Sequence, residues 1–210
     1  NKLYQAAQRS RGSYTDMANS VSKLGLLAGD AFKNNDEMIA FSEMMNKSFK
    51  VSGAGQQEIS AATYQLTQAM ASGKLQGDEF RSIMENAPML ADAIAKYMGK
   101  SKGELRDLAA EGAITSDIIK NALFSAADDI NAKYEQMPKT FGDAMNSMKN
   151  TAQRYMQPVA DKIAEMLNSE RFQTILSGIL SGIRTFAGVA LVILQGLGWG
   201  FDFLANHMYI

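Results

Sequence analysis

The chain has 210 residues, of which 46% are hydrophobic and 20% are charged, a composition that excludes a disordered protein. Its 21 Lys and Arg residues and 22 Asp and Glu residues give a net charge of -1, which excludes nucleic-acid binding through a general positive field. It has no cysteine, and His207 is its one histidine. Disulfide frameworks, thiol nucleophiles, Cys/His zinc sites and histidine-based catalytic triads are therefore excluded.

The N-terminal residues predict an amphipathic helix that is interrupted once. The first residue is Asn1 rather than Met, and no signal-peptide pattern follows it, which indicates a fragment of a longer protein. Between residues 2 and 27, the later apolar positions are spaced three or four residues apart, as one face of a helix requires. A break is predicted at Gly12. The members of this predicted buried face are Leu3, Tyr4, Ala7, Tyr14, Met17, Val21, Leu24 and Leu27.

Two further helices follow. Asn35 is predicted to cap the first of them, because Asp36 and Glu37 come next, where the helix dipole favours acids. Its predicted buried stripe is Met38, Phe41, Met45 and Phe49. The second helix, from Gln56 to Ser72, carries a single charge, and Gly73 is predicted to end it in a left-handed conformation. Its uncharged polar face is typical of a helix that contacts protein on more than one side.

Short helices punctuated by glycine and proline occupy residues 78–111. Phe80, Leu90 and Leu105 are among their predicted buried residues. The signals that begin and end these helices are Pro88 at a first turn, Gly99 and Gly112 at helix ends, and Ser101 three residues before Glu104, which is the spacing of a capping box. Thr115 or Ser116 is then predicted to begin one longer helix that Pro138 ends.

A seven-residue repeat of apolar positions begins at Phe141. The positions are Phe141, Met145, Met148, Ala152, Tyr155 and Val159, which advance by four and three in alternation. Pro158 is predicted to interrupt this helix, so that Ile163, Met166 and Leu167 resume on a shifted phase. Two interpretations stand side by side: an ordinary amphipathic helix within a bundle, or a helix that pairs with another chain.

The C-terminal residues 173–210 differ in character from the rest of the chain. Residues 185–201 carry no charge over 17 positions, which is slightly shorter than a membrane-spanning helix of about 20 residues. Gly178 and Gly182 form a small-xxx-small pair, and Gly196, Gly198 and Gly200 are predicted to loosen any helix. The segment fits a buried hairpin arm, a face that packs on other protein, or a segment that enters a bilayer.

The fold class is predicted to be all-α: a bundle of short and medium helices joined by Gly/Pro-punctuated turns, ending in a hydrophobic helical segment. No catalytic, cofactor-binding or metal-binding residues are predicted, so the chain is not expected to be an enzyme. Three pairs of carboxylates could in principle serve a glycosidase, namely Asp78 with Glu79, Glu104 with Asp107, and Asp128 with Asp129. Each has a better structural explanation, in a helix first turn, a capping box or an exposed helix face.

Two tracts carry a resemblance to a known family. They are residues 72–88, SGKLQGDEFRSIMENAP, and residues 99–115, GKSKGELRDLAAEGAIT. Together with Met137, Pro138, Lys139 and Thr140, they resemble the N-terminal region of the tape measure proteins of long-tailed bacteriophages and prophages, over residues 40–166. The positions of the motif, all of them structural, are Gly73, Leu75, Gly77, Asp78, Glu79, Phe80, Arg81, Pro88, Gly99, Ser101, Glu104, Leu105, Gly112, Thr115 and Pro138.

The resemblance implies a structural protein that sets tail length, fills the tail tube and assists DNA delivery. The implied partners are the tail tube protein, tail assembly chaperones and tail tip proteins. We also expect self-association and host membrane contact through residues 173–210, and no sequence-specific nucleic-acid binding. The implied locations are the virion tail, the host cytoplasm during assembly and the host membrane on infection. Residues 1–168 are predicted to form the tape-measure-like domain, and residues 169–210 a hydrophobic segment. The alternative functions are a peptidoglycan-degrading protein and a pore-forming helical protein.

Overall fold

A computed structural model describes residues 2–207; among residues 198–207 it describes the side chain of Trp199 alone. The described chain is almost entirely helical, which confirms the all-α class. Its helices are α1 (Lys2–Arg9), α2 (Tyr14–Ala28), α3 (Asn35–Val51), α4 (Gln56–Ser72), α5 (Gly77–Asn86), α6 (Pro88–Met98), α7 (Lys102–Ala110), α8 (Ser116–Ser125), α9 (Ala127–Gln136), α10 (Phe141–Asn168) and α11 (Glu170–His207). A short 3-10 helix lies at Gly29–Ala31, and two strands of two residues each are β1 (Lys74–Leu75) and β2 (Ile114–Thr115).

The chain divides into two compact units, Asn1–Gln153 and Arg154–Ile210. In the first unit, α3 lies at the centre and packs against α1, α2, α4, α6, α8 and α9. The predicted stripe of α3 is buried as expected, at Met38, Phe41, Met45 and Phe49. The main core continues through α4 to α9 and includes Phe80, Leu90 and Leu105. Burial of this apolar surface is the main contribution to the stability of the unit.

Several predicted helix ends are confirmed. Gly73, Gly99 and Gly112 all have positive φ angles, of 78°, 64° and 69°. They follow α4, α6 and α7 respectively. Ser101 and Glu104 form the capping box, in which Ser101 Oγ accepts from the Glu104 amide and the Glu104 carboxylate accepts from the Ser101 amide. Pro88 occupies the first turn of α6. These local signals divide residues 72–115 into short helices.

The two strands bring the two motif tracts together. Lys74 pairs with Thr115 and Leu75 with Ile114 in an antiparallel ladder. The Ser116 amide donates to the Gly73 carbonyl at 3.0 Å, so the ladder continues by one hydrogen bond. Gly112 is favoured here by its left-handed φ of 69°, and a Cβ at this position would also displace the Lys74 side chain, whose Cδ would lie 2.9 Å away.

The single helix predicted between residue 115 and Pro138 is wrong. It is two helices, α8 and α9, separated at Ala126, whose φ and ψ are -92° and 2°. The apolar spacing does not reveal the break, because Leu123 and Ile130 stay in phase and are both fully buried. Tertiary packing explains it: α8 packs mainly against α6, whereas α9 packs mainly against α3.

Two details near the N-terminus also differ from expectation. The cap of α3 is Asn34 rather than Asn35, and its Oδ1 accepts from the Glu37 amide at 3.0 Å. Leu27 is 56% exposed rather than buried. The buried positions at the end of α2 are Leu24 and Ala28, four residues apart, which turns Leu27 to solvent.

Helices α10 and α11 are longer than predicted. Pro158 lies within α10 and does not end it. Since the helix is continuous, Met166 lies seven residues after Val159 and keeps the phase of the repeat, contrary to the prediction. Ile163 and Leu167 each lie one residue out of phase with it, as predicted. The glycines of α11 do not end that helix, which the structure describes as far as His207. The side chain of His207 and residues 208–210 lie outside the described residues.

One described helix is long and apolar enough to cross a membrane. It is the stretch Glu170–Leu197 of α11, with a mean hydropathy of 1.8 and none of its most apolar window buried. Ile179, Phe186 and Leu194 are among its exposed large side chains.

Candidate interaction surface on α10

The first half of α10 contacts the first unit through polar side chains. Asn150, the one buried residue of α10, donates from Nδ2 to the Gly12 carbonyl at 2.8 Å and accepts at Oδ1 from the Tyr14 amide at 2.7 Å. Asn146 donates to the Arg11 carbonyl at 3.2 Å. These bonds all reach the backbone of the link between α1 and α2. The attachment of the helix therefore depends on directed hydrogen bonds rather than on apolar burial.

Asp143 adds an ionic contact one turn earlier. Its carboxylate accepts from Lys50 Nζ at 2.6 Å and lies 3.8 Å from Nη1 of Arg11. Burial raises the pKa of Asp143, but the hydrogen bonds from Lys50 and from the Thr140 amide outweigh burial and hold that pKa below its ordinary value. Arg11 has a left-handed φ of 51°, and its carbonyl accepts from Lys50 Nζ at 2.7 Å. The cluster thereby holds a backbone conformation that non-glycine residues rarely adopt.

A second ionic cluster lies on α3 beside the first. Glu43 is buried and accepts from Arg9 Nη2 at 2.6 Å, and its Oε1 lies 2.9 Å from Lys47 Nζ. Lys47 also donates to Asn131 Oδ1 at 2.8 Å and lies 5.5 Å from the centre of the Tyr134 ring. Burial raises the pKa of Glu43, but the hydrogen bonds from Arg9 and Lys47 outweigh it and lower that pKa overall. The cluster joins α1, α3 and α9.

The opposite face of α10 is apolar and exposed. At about 100° per residue, Phe141, Met148 and Tyr155 of the seven-residue repeat lie roughly 120° to 180° around the helix from Asp143 and Asn150. Phe141 is 81% exposed, Met148 66% and Tyr155 76%. We call this set, Phe141, Met145, Met148, Ala152, Tyr155, Val159 and Met166, the α10 seam. A helix usually buries its apolar face, so this arrangement leaves the seam available to another partner.

Two residues of the sequence motif, Leu75 and Thr115, belong to the two-strand ladder. Leu75, Phe80 and Leu105 are buried in the main core, and the glycines and Pro88 lie at the helix ends described above. Asp78 and Arg81 from the first tract line a surface cleft of about 410 Å³ together with Arg106 from the second. Pro138 lies apart from these residues, and its carbonyl accepts from Arg11 at 3.4 Å. The motif residues therefore contribute to the main core, to helix ends and to one charged surface cleft.

The three carboxylate pairs lie where structural roles explain them. Asp78 and Glu79 occupy the first turn of α5, and Asp128 and Asp129 occupy the first turn of α9. The helix dipole stabilises acidic side chains at these positions. Glu104 is fixed by the capping box: the hydrogen bonds from the Ser101 amide and hydroxyl and from Lys100 lower its pKa to about 2. A glycosidase acid needs a raised pKa, and that of Glu104 is shifted in the opposite direction.

The polar residues that attach α10 were missed by sequence reasoning, which followed the apolar seam alone. The available signal was the pair Asp143 and Asn150, seven residues apart and opposite the seam. The partners of Asn150 are the Gly12 carbonyl and the Tyr14 amide, which are backbone atoms and leave no trace in the side-chain pattern. The partner of Asp143 is Lys50 on α3, which lies 93 residues away in the sequence.

Comparison with known proteins identifies one family. The family model described as tape measure protein matches residues 1–161, which span α1 to α9 and most of α10. The match begins well before residue 40, where the resemblance noted in the sequence starts. Neither the curated proteins nor the solved structures include a match to this chain.

Proposed function

Because this chain belongs to the tape measure protein family, a family of structural proteins of the phage tail, we propose that it helps to set tail length, to fill the tail tube and to deliver DNA. The observation that carries the proposal is the α10 seam, an apolar surface on a helix that the first unit holds by its polar side. A structural protein acts through such surfaces. Its proposed partners are the tail tube protein, the assembly chaperones and the tail tip proteins, and its proposed locations are the virion tail and, during assembly, the host cytoplasm.

The first step of this function is self-association through the α10 seam. In a parallel pair of helices, the residues that flank the apolar seam contact each other across the two chains. A flanking residue at position i of one helix lies opposite the residue at position i+5 of the other. Here those pairs are Ala144 with Lys149, Thr151 with Met156, and Pro158 with Ile163. None of them brings two like charges together, so two copies of the helix can align in register without repulsion.

Charged substitutions in the seam test self-association. We expect the double variant Met148→Glu and Tyr155→Glu to be monomeric by sedimentation velocity, at concentrations where the unaltered chain forms dimers or larger oligomers. The reason is that each added carboxylate replaces apolar contact area in the seam and, in a parallel pair in register, lies opposite the same carboxylate of the partner helix. Circular dichroism should be unchanged, because both positions are exposed in the described structure.

Gln157→Glu supplies the matched control. It adds one carboxylate to α10 on the side opposite the seam, where the double variant adds two within it, and we expect it to leave the oligomer unaffected. A monomeric unaltered chain across the whole dilution series, or an oligomer that survives both seam charges, would show that the seam is not the contact.

A second proposal concerns α11, which we assign to contact with the host membrane. It is supported by the length and hydropathy of Glu170–Leu197 and by the exposure of its apolar side chains. In this proposal the tape-measure-like domain covers residues 1–168 and the hydrophobic segment residues 169–210, a division supported by the end of α10 at Asn168 and the start of α11 at Glu170.

Dye release from liposomes tests the membrane proposal. We expect the chain to release an encapsulated dye from vesicles of phosphatidylglycerol and phosphatidylethanolamine, and a form that ends at Arg184 to release little or none. The shortened form lacks the uncharged residues 185–201. Replacing Val189 and Val192 by leucine keeps the helix apolar and should retain release. Equal release by the shortened form would count against the assignment of α11.

A further inference from the structure

Helix α11 carries its polar side chains along one side. Between residues 174 and 197, at about 100° per residue, every polar side chain falls within an arc of roughly 100° around the helix axis. This set is named the α11 polar stripe and consists of Thr174, Ser177, Ser181, Arg184, Thr185 and Gln195. The rest of the circumference over these residues is formed by apolar side chains and glycine.

The opposite face of α11 suits contact with lipid. Ile179, Ile183, Phe186 and Leu194 lie on it, and each is more than half exposed. A helix that lies flat on a membrane surface has a large charged or polar face, whereas the polar arc of α11 is narrow and holds one charge. The pattern therefore favours a helix that lipid surrounds on every side except that of the polar stripe.

Arg184 is the member of the stripe that lipid tolerates least. It lies at the middle of Glu170–Leu197, the stretch able to cross a membrane. The nearest acidic residues in the sequence of α11 are Glu170 and Asp202, about 21 Å and 27 Å away along the axis at 1.5 Å per residue. Arg184 therefore has no counter-ion within reach on its own helix, so at this depth it needs water or another helix.

The remaining members of the stripe can be wetted or shared between helices. The hydroxyls of Thr174, Ser177, Ser181 and Thr185 donate to backbone carbonyls of α11 at 2.7–2.9 Å and keep their acceptor capacity. The side chain of Gln195 forms no hydrogen bond within the part of the chain that the structure describes. Acceptors and an amide thus follow the same line as Arg184.

Other copies of α11 are the partners that the chain itself brings to this stripe. One residue separates the end of α10 at Asn168 from the start of α11 at Glu170, so copies that pair in register along the α10 seam bring their α11 helices together. Parallel copies place their Arg184 side chains at the same level. In dry contact these like charges would repel strongly at low dielectric, which favours stripes that face water rather than one another.

We propose that several copies of α11 enclose a water-filled path across the bilayer, lined by the α11 polar stripe, in which the ring of Arg184 side chains selects anions. The inference rests on the proposed membrane role of α11 and adds which face lines the path and which ions pass. A ring of fixed positive charge raises the local concentration of anions and repels cations, as arginine and lysine rings do in anion pores.

Current through planar bilayers under a potassium chloride gradient tests the selectivity of the full chain. Neutral phosphatidylcholine is used, so that the lipid adds no surface charge of its own. From the reversal potential we expect a ratio of chloride to potassium permeability above one for the unaltered chain, about one for Arg184→Gln and below one for Arg184→Glu. Arg106→Gln is the matched control, because it removes the same charge from an exposed position on α7, and its ratio should equal that of the unaltered chain.

Cysteine substitution tests which face of α11 lines the path. The chain has no cysteine, so an introduced thiol is the sole target of a thiol reagent. Ser181→Cys lies in the stripe, and Ile183→Cys lies about 160° around the helix from it. A charged methanethiosulfonate in the water should reduce the current through Ser181→Cys and leave that through Ile183→Cys unchanged, because a thiol in apolar surroundings stays protonated and inert.

The outcomes separate this inference from the proposed function. A chain that does not bind vesicles would overturn the membrane role of α11 itself. Vesicle binding without conductance, or the same permeability ratio in the unaltered chain and in Arg184→Gln, would leave that role in place and overturn the anion-selective path. Equal loss of current in the two cysteine variants would overturn the stripe as its lining.

Discussion

Replacing Phe41 by alanine is expected to lower the free energy of unfolding of the first unit by about 3–5 kcal/mol. Phe41 is fully buried on the central helix α3. Its ring lies 5.3 Å from that of Phe32 and 6.3 Å from that of Phe124, with the rings edge to face in both cases. The substitution removes the ring from the place where α3, α8 and the segment before α3 meet, and this packed core can close the resulting cavity only in part.

Urea unfolding followed by circular dichroism measures this loss. The matched control is Phe141→Ala, which removes the same side chain from the exposed α10 seam and is expected to change the unfolding free energy by less than about 0.5 kcal/mol. Phe141→Ala should instead weaken self-association. Equal destabilisation by the two substitutions would contradict the assignment of Phe41 to the core and of Phe141 to the surface.

Replacing Glu43 by alanine is expected to have an effect of similar size, about 3 kcal/mol at neutral pH. The reason differs, because the variant leaves the buried Lys47 without its carboxylate partner and frees Arg9 from its hydrogen bonds. Removing one partner of a buried ion pair costs more than the pair itself contributes. Glu135→Ala, at an exposed position of α9, is the control, and its free energy of unfolding should be close to that of the unaltered chain.

The pH dependence of stability gives an independent check on Glu43. Its pKa in the folded protein lies below the ordinary value of 4.5, so the unfolded chain binds the proton more readily. The stabilisation is therefore fully present above pH 4.5 and is lost as the pH falls through the lower pKa of the folded state. Asp143, whose pKa is also lowered, contributes in the same direction.

Urea midpoints measured from neutral pH down to pH 2 reveal this loss. In Glu43→Ala the midpoint should fall less steeply with acid than in the unaltered chain, while the contribution of Asp143 remains. Parallel acid profiles for the two proteins would contradict the ionic role of Glu43.

The fold class and most helix ends could be predicted because their causes are local. The capping box of Ser101 and Glu104 and the left-handed glycines at Gly73 and Gly99 depend on atoms within a few residues of one another. The buried stripe of α3 follows equally from spacing alone. The candidate surface could be predicted in part. The α10 seam is recognisable in the sequence as a repeat, but the sequence does not show whether the seam is buried or exposed.

The break between α8 and α9, the exposure of Leu27 and the continuity of α10 through Pro158 could not be predicted. At Ala126 the apolar phase continues unchanged across the break, so periodicity contains no signal. Proline disfavours the interior of a helix, so the sequence predicts an end at Pro158, yet α10 continues through this residue to Asn168.

The sequence by itself determined that this protein is helical, nearly neutral and punctuated by glycine and proline, since these properties are set by composition and by contacts along the chain. Only the tertiary structure decided that Asn150 bonds to the backbone between α1 and α2, and that Glu43 and Lys47 are buried as a pair. The reason is physical: these arrangements depend on atoms from helices far apart in sequence, often backbone carbonyls and amides, which every residue carries and no side-chain pattern distinguishes.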